Sequence, residues 1–242
     1  MRIAIISDIH GNLEALQAVL KEIENQKVDR VNCLGDVIGY GCNPVACLDL
    51  VNQHCSAKLM GNHEYAAIGL LPLEAMNLAA QQSIQWTIAQ LKDRELAMIA
   101  DFEMKTEDAG SLMVHASPEE PDEWHYVLSQ QEAIKGFAHL DQKLAFHGHT
   151  HLPLIFCQAP NGNVRTIVGH DFDPDEESSY LINVGSVGQP RDNDPRASFV
   201  VYDVGEMSIS YHRVEYDFKI TQAKMCKADM PSMLIDRLEV GR

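Results

Sequence analysis

The stretch Arg2-Ile3-Ala4-Ile5-Ile6-Ser7-Asp8-Ile9-His10-Gly11-Asn12 turns from a compact apolar run into a polar loop at Ser7. Arg2 to Ile6 suits a buried strand. Behind it Leu13, Leu16, Leu20 and Ile23 recur at helical spacing, with Asn12 placed to cap the helix. Strand, short loop and helix thus form a first unit, and the unit repeats. Arg30 to Leu34 is again strand-like, Asn43-Pro44 supplies an N-cap and a proline at the first helical position, and Val45, Leu48 and Val51 give the second helix its apolar stripe. Lys58 to Met60 reads as a third short strand. Such alternation predicts parallel strands joined by right-handed helical crossovers, with sites forming in the loops at the carboxyl ends of the strands. Those loops read Ser7 to Asn12, then Gly35-Asp36-Val37-Ile38-Gly39-Tyr40-Gly41, then Gly61-Asn62-His63-Glu64.

Farther along the rhythm changes. From about 66 to 102 the chain reads as a helical insertion: Met76, Ala80, Ile84, Ile88 and Leu91 trace one long amphipathic helix, and Leu96 and Ile99 a shorter one. This stripe suits core packing, with a substrate lid as the alternative. Ser111 to His115 is a strand ending in histidine, followed by a proline-rich acidic loop to Glu123 that leads to His125. Lys143 to Phe146 is a strand delivering Phe146-His147-Gly148-His149-Thr150-His151. Leu154 to Gln158 and Asn163 to Val168 flank the hairpin signal Asn161-Gly162, and Tyr180 to Val184, Ser198 to Val204 and Met207 to Val214 add strands. The second half is expected to be mainly antiparallel, closed by two short helices within about 218–240. No linker or internal repeat interrupts the chain, so residues 1–242 are expected to form one domain.

Composition narrows the function. With 242 residues, 45% of them hydrophobic and 22% charged, the chain can bury a substantial core. No run reaches the roughly 18 to 20 apolar residues of a membrane span, and only four apolar residues follow Arg2, fewer than a signal peptide needs. A cytoplasmic protein is expected. The six cysteines form no CxxC pair, so a metal here would be held by nitrogen and oxygen. A formal charge of −16 repels polyanions, which disfavours nucleic acid and leaves a small phosphorylated substrate open.

The strand ends together supply Asp8, His10, Asp36, Asn62, His63, His115, His149 and His151, carboxylate, carboxamide and imidazole without thiolate. In an extended segment His149 and His151 would point to the same side and converge, while His147 shares that face or turns away at Gly148. Taken alone, the hexapeptide also fits a histidine-rich surface loop. The full set suits Mn²⁺, Fe, Zn²⁺, Ni²⁺ or Co²⁺, and it is too large for one four-coordinate ion. Two divalent ions about 3.5 to 4 Å apart, bridged by a carboxylate and a water or hydroxide, account for it.

Asp8-x-His10, Gly35-Asp36, Gly61-Asn62-His63-Glu64, His115 and Gly148-His149-Thr150-His151 resemble, in order, the motifs of the calcineurin-like metallophosphoesterases. The Gly35 to Gly41 loop and Asn183-Val184-Gly185-Ser186-Val187-Gly188-Gln189-Pro190-Arg191 are similar to its compact bacterial and archaeal branch of small phosphodiesterases and dinucleoside polyphosphate hydrolases. The resemblance implies a four-layer α/β/β/α sandwich of two mixed sheets. It also implies that Asp8, His10 and His151 hold one metal, that Asn62, His115 and His149 hold the other, and that Asp36 bridges them. His63 would face the leaving group. The implied activity is a dinuclear metal-dependent phosphohydrolase, with Mn²⁺ the first expectation, acting on a phosphodiester or nucleotide pyrophosphate bond by in-line attack of a bridging hydroxide. Alternatives are a phosphomonoesterase or protein serine/threonine phosphatase, and a scaffold that has lost catalysis; the intact ligand set and His63 disfavour the scaffold. Arg191 is a candidate phosphate contact, or else pairs with Asp192 or Asp194. Tyr40 stacks on a base or packs its own loop. A homo-oligomer is compatible with the sequence.

Overall fold

A computed structural model describes residues 1–242. β1 (Arg2–Ile6) leads into α1 (Leu13–Gln26), β2 (Arg30–Cys33) into α2 (Pro44–His54), and β3 (Cys55–Lys58) into α3 (Asn62–Ala67). There follow α4 (Leu78–Gln90), α5 (Asp93–Ala100), β4 (Lys105–Asp108), β5 (Ser111–Val114), α6 (Gln130–Phe137) and β6 (Leu144–His147). The chain closes with β7 (Leu154–Gln158), β8 (Val164–Val168), β9 (Ser179–Asn183), β10 (Ala197–Asp203), β11 (Ser208–Val214), α7 (Phe218–Lys227) and α8 (Ser232–Val240).

Two sheets result, ordered β11-β10-β1-β2-β3 and β4-β5-β6-β9-β7-β8. Alternation along β1 explains the layering. Ile3 and Ile5 point at the second sheet and pack with Met113, Phe146, Ile155 and Ile182. Ala4 and Ile6 point the other way, onto Leu16 and Val19 of α1 and Leu48 of α2. On the far side Leu112, Val114 and Ala145 meet Ala133 and Phe137 of α6. Helices therefore cover both outer faces, and the architecture is a four-layer α/β/β/α sandwich with two mixed sheets. Phe146 is fully buried between the sheets. Phe146→Ala is expected to destabilise the fold by about 3–5 kcal/mol, read as a lowered urea midpoint at unchanged slope.

Several details differ from the sequence expectation. The second half is mainly antiparallel, as expected, in β4–β5, β7–β8, β7–β9 and β10–β11, but β5, β6 and β9 run parallel to one another, and β10 and β11 return to the first sheet beside β1. The third strand ends at Lys58, because α2 runs straight into an extended Cys55, and Leu59 continues only as a single bridge to Glu103. The long insertion helix starts after Met76 and ends before Leu91. Its buried face is Ala79, Ala80, Ser83, Ile84 and Thr87, with Ile88 at 36% exposure, because Ser83 Oγ turns inward to accept a hydrogen bond from the Tyr40 amide at 3.2 Å. β4 is not foreshadowed in the sequence, because Lys-Thr-Glu-Asp is a polar edge strand with no apolar alternation. α6 does carry a signal, Ser129 and Glu132 as a capping box. No helix is long and apolar enough to cross a membrane.

Candidate metal centre

The strand-end loops converge at one edge of the sandwich. Asp8 and His10 follow β1, Asp36 follows β2, Asn62 and His63 begin α3, His115 follows β5, and His149 and His151 follow β6. All are buried except Asn62, which is half-buried. Ligand atoms of Asp8, His10, Asp36 and His151 lie within 4.8 Å of one another, and so do those of Asp36, His115 and His149. Asp36 belongs to both groups: its Oδ2 lies 3.7 Å from His10 Nε2 and 3.3 Å from His115 Nε2.

Extended geometry does not create this arrangement. Asp8, His10, Asp36, His149 and His151 all have left-handed backbone, with φ of 54°, 51°, 50°, 65° and 60°. Each such non-glycine residue costs about 1–2 kcal/mol. Hydrogen bonds between the loops offset it: Asp8 N donates to Gly35 O at 3.0 Å, His10 N to Asp36 O at 2.8 Å, and Gly148 N to His115 O at 2.9 Å. The period-two argument for His149 and His151 therefore fails, and the two rings enter different groups. His147 is the last residue of β6 and belongs to neither, its Nδ1 lying 3.3 Å from Asn183 Nδ2.

The donor set fits cations. Three Nδ1 atoms meet backbone carbonyls: His10 with Ile38 O at 3.1 Å, His115 with Leu34 O at 2.9 Å and His151 with Gln189 O at 2.6 Å. A carbonyl accepts, so each Nδ1 carries the proton and each Nε2 presents a lone pair inward. His10 Nε2 and His151 Nε2 are then 3.0 Å apart with no proton between them, a contact a cation relieves. Asn62 Oδ1, His115 Nε2 and His149 Nε2 are buried without any hydrogen-bond partner, three donors of the second group left open.

Charge agrees. Burial pulls His10 well below its ordinary pKa and His149 down to about 3, with the charge on His115 adding to the latter. At His115 the pull of burial is outweighed by the Asp36 charge and contact, which push it up to about 9, so that without a cation a second proton sits on Nε2 facing Asp36, in the place a cation would take. Burial would raise Asp8 and Asp36, but neighbouring histidines, His151 for Asp8 and His115 for Asp36, hold both well below the carboxylate range. Two buried carboxylates with no lysine among them call for positive charge.

Glu64 supports the loops. Its carboxylate accepts from the amides of Asp36 at 2.8 Å, Val37 at 2.8 Å, Ile38 at 3.0 Å and Gly61 at 2.9 Å. Burial and the Asp36 charge push its pKa up to about 7, while the Ile38 and Gly61 amides draw it back down. The sequence placed Glu64 in the motif without a role. Gly148 is a second support, since a Cβ there would run into the Ser7 hydroxyl and the Asp8 carboxylate. Gly148→Ala is expected to lower kcat/KM by about 10²-fold, the cost of roughly 1 Å of misplacement, with a much smaller loss of stability; steady-state kinetics beside a melting curve checks it.

Tyr40 packs against both His10 and His63, with ring centroids 4.5 Å away in each case. Arg191 does not pair with its acidic neighbours: Asp192 is held by Arg213 and Asp194 by Arg196. Its guanidinium lies 6.0 Å from the Tyr40 ring centroid. A cavity of about 510 Å³ borders Tyr40, Asn62 and His149 and extends along Tyr65, Trp124 and Tyr126. Tyr126 stacks on His149 at 4.3 Å. The sequence singled out His125 in that loop; its ring is exposed beside Glu120, whereas Trp124 is buried and Tyr126, itself exposed on one side, is the residue that reaches His149.

Comparison with known proteins agrees with this geometry. A family model described as the calcineurin-like phosphoesterase superfamily domain matches residues 1–207. An uncharacterized protein of Methanocaldococcus jannaschii, MJ0912, is 38% identical over 99% of this chain and 98% of its own length. The crystal structure of a metallophosphoesterase from Sphaerobacter thermophilus superposes with a TM-score of 0.89 at 38% identity, covering 100% of this chain and 99% of that one. A hypothetical protein of Pyrococcus horikoshii, PH1004, shares the fold at a TM-score of 0.81 and 17% identity, over 100% and 98% of the two chains. The chain belongs to the calcineurin-like phosphoesterase superfamily and is a metal-dependent phosphoesterase.

Proposed function

We propose that the protein hydrolyses a phosphodiester or nucleotide pyrophosphate bond with two divalent cations, Mn²⁺ foremost. Asp8, His10 and His151 would hold one, Asn62, His115 and His149 the other, and Asp36 both. The observation that carries this reading is the shared Asp36 carboxylate, within 3.7 Å of a donor nitrogen in each group. Such cations supply a nucleophile at neutral pH by acidifying water, and they neutralise phosphoryl oxygens.

The protein's own residues supply the rest. Carbonyls of Leu34, Ile38 and Gln189 fix the tautomers of His115, His10 and His151. Glu64 fixes the Asp36 loop, and the His63 amide donates to Asp36 Oδ1 at 3.0 Å. The His63 ring is buried, with Nδ1 free of any partner, and burial pulls its pKa down to about 4. A neutral imidazole there can donate a hydrogen bond to the leaving oxygen. The aromatic cavity supports a nucleotide or other aromatic ester as substrate, a small phosphorylated molecule met in the cytoplasm.

The test is turnover of bis-p-nitrophenyl phosphate against p-nitrophenyl phosphate with added Mn²⁺. The diester is expected to be preferred, and His63→Ala to lower its kcat/KM by about 10²–10⁴-fold. Preference for the monoester would move the protein to the phosphomonoesterases. Absence of turnover with either would overturn the enzymatic reading.

A further inference from the structure

The chain carries 35 acidic against 19 basic side chains, so basic groups find partners easily. Arg2, Arg30, Arg94, Arg196 and Arg213 each pair with a side-chain carboxylate. Arg191 and Arg237 do not, yet they lie together. Gln189 Oε1 accepts from Arg191 Nη2 at 2.8 Å and from Arg237 Nη1 at 3.0 Å, which brings two guanidinium groups within two hydrogen-bond lengths around one neutral oxygen. Arg191 Nε is buried with no partner, and Arg237 Nε donates to the main-chain oxygen of Arg242. Burial first, and then the Arg191 charge, pulls Arg237 down to about 10. Two like charges held together beside carboxylates already engaged elsewhere form a place for an anion.

Its position is adjacent to the candidate centre. Arg191 N donates to His151 O at 3.2 Å, and the Gln189 carbonyl accepts from His151 Nδ1. The pair lies beside His151, and the Arg191 guanidinium also lies 6.0 Å from the ring of Tyr40, which lines the aromatic cavity together with Asn62, His149, Asp122 and Glu123. Arg237 also lies beyond residues 1–207 matched by the family model, on the closing helix α8.

Building on the proposed function, we propose that Arg191 and Arg237 form a second phosphate subsite, so that the preferred substrate carries another phosphoryl group on the scissile phosphorus, as in a nucleotide pyrophosphate. In the reaction one water is consumed and the bridging P–O bond breaks. The water oxygen forms the new bond to the scissile phosphorus, the electron pair of the broken bond stays on the leaving oxygen, to which His63 donates a hydrogen bond, the two guanidinium groups hold the other oxygens of the departing phosphate, and the protons of water pass to products and solvent.

The experiment compares kcat/KM for diadenosine diphosphate and for bis-p-nitrophenyl phosphate in Mn²⁺-loaded wild type, Arg237→Gln and Arg237→Lys. Calorimetry of inorganic pyrophosphate binding to chelator-treated protein runs beside it. The expected result is a wild-type preference for the diphosphate. Its ratio over the simple diester should fall about 10- to 100-fold in Arg237→Gln, mainly through KM, and recover in part in Arg237→Lys, with pyrophosphate binding weakened in parallel. Turnover of the simple diester without preference for the diphosphate, or a ratio unmoved by Arg237→Gln, would overturn the subsite and leave the proposed function standing. If neither substrate turns over, the proposed function fails instead, and calorimetry decides the subsite: pyrophosphate binding equal in wild type and Arg237→Gln rejects it, and weakened binding supports it.

Discussion

Asp36→Ala is expected to lower kcat/KM for bis-p-nitrophenyl phosphate by at least about 10³-fold and to reduce bound metal, while a melting curve shows the chain still folded. Asp36 alone belongs to both donor groups, so its loss weakens both at once, whereas loss of His10 or His149 disturbs one. A factor of 10³ corresponds to about 4 kcal/mol of transition-state stabilisation, within the several kcal/mol that a two-cation clamp supplies. Metal analysis by plasma mass spectrometry, beside the kinetics, checks both halves. The aspartate also accepts from the His63 amide at 3.0 Å, so part of the loss reflects displacement of His63.

Glu64→Gln is expected to be nearly as damaging to activity and much worse for stability. The carboxylate faces four amide donors across two loops, and a carboxamide would turn an NH₂ group toward some of them. Breaking a fully buried charged network of this kind costs about 3–5 kcal/mol. Chemical denaturation should show that loss, with activity falling by 10²-fold or more because the Asp36 loop is no longer fixed. Glu64→Asp, which keeps the charge but shortens the reach, should fall between wild type and Glu64→Gln. Full stability in Glu64→Gln would show that the loops are held by other means.

The parts of the fold that the sequence exposed are those governed by apolar spacing. Ile3 and Ile5 against Ala4 and Ile6 announce a strand buried on both faces, and Leu13, Leu16, Leu20 and Ile23 announce its covering helix. The polar residues at the strand ends stood out because nothing in packing requires three histidines within 147–151. The division of His149 from His151 was not readable from spacing, because it depends on left-handed backbone at both residues, held by contacts with loops more than a hundred residues distant. β4 lacked an apolar pattern altogether. Arg237 was invisible for another reason: a lone arginine on an amphipathic helix reads as solvated surface, and only the fold brings it to Gln189 and Arg191. The buried face of α4 keeps Ala80 and Ile84 of the expected stripe but turns toward Ser83 and Thr87, where Ser83 accepts from the Tyr40 amide, a contact no hydropathy pattern contains.

Two cations are expected to share Asp36. A crystal structure of the Mn²⁺-loaded protein, with anomalous scattering recorded at the manganese edge, tests it directly. Two peaks about 3.5 to 4 Å apart are expected, one beside Asp8, His10 and His151, the other beside Asn62, His115 and His149, with the Asp36 carboxylate between them. A single peak bound by both His149 and His151, or peaks remote from Asp36, would contradict it.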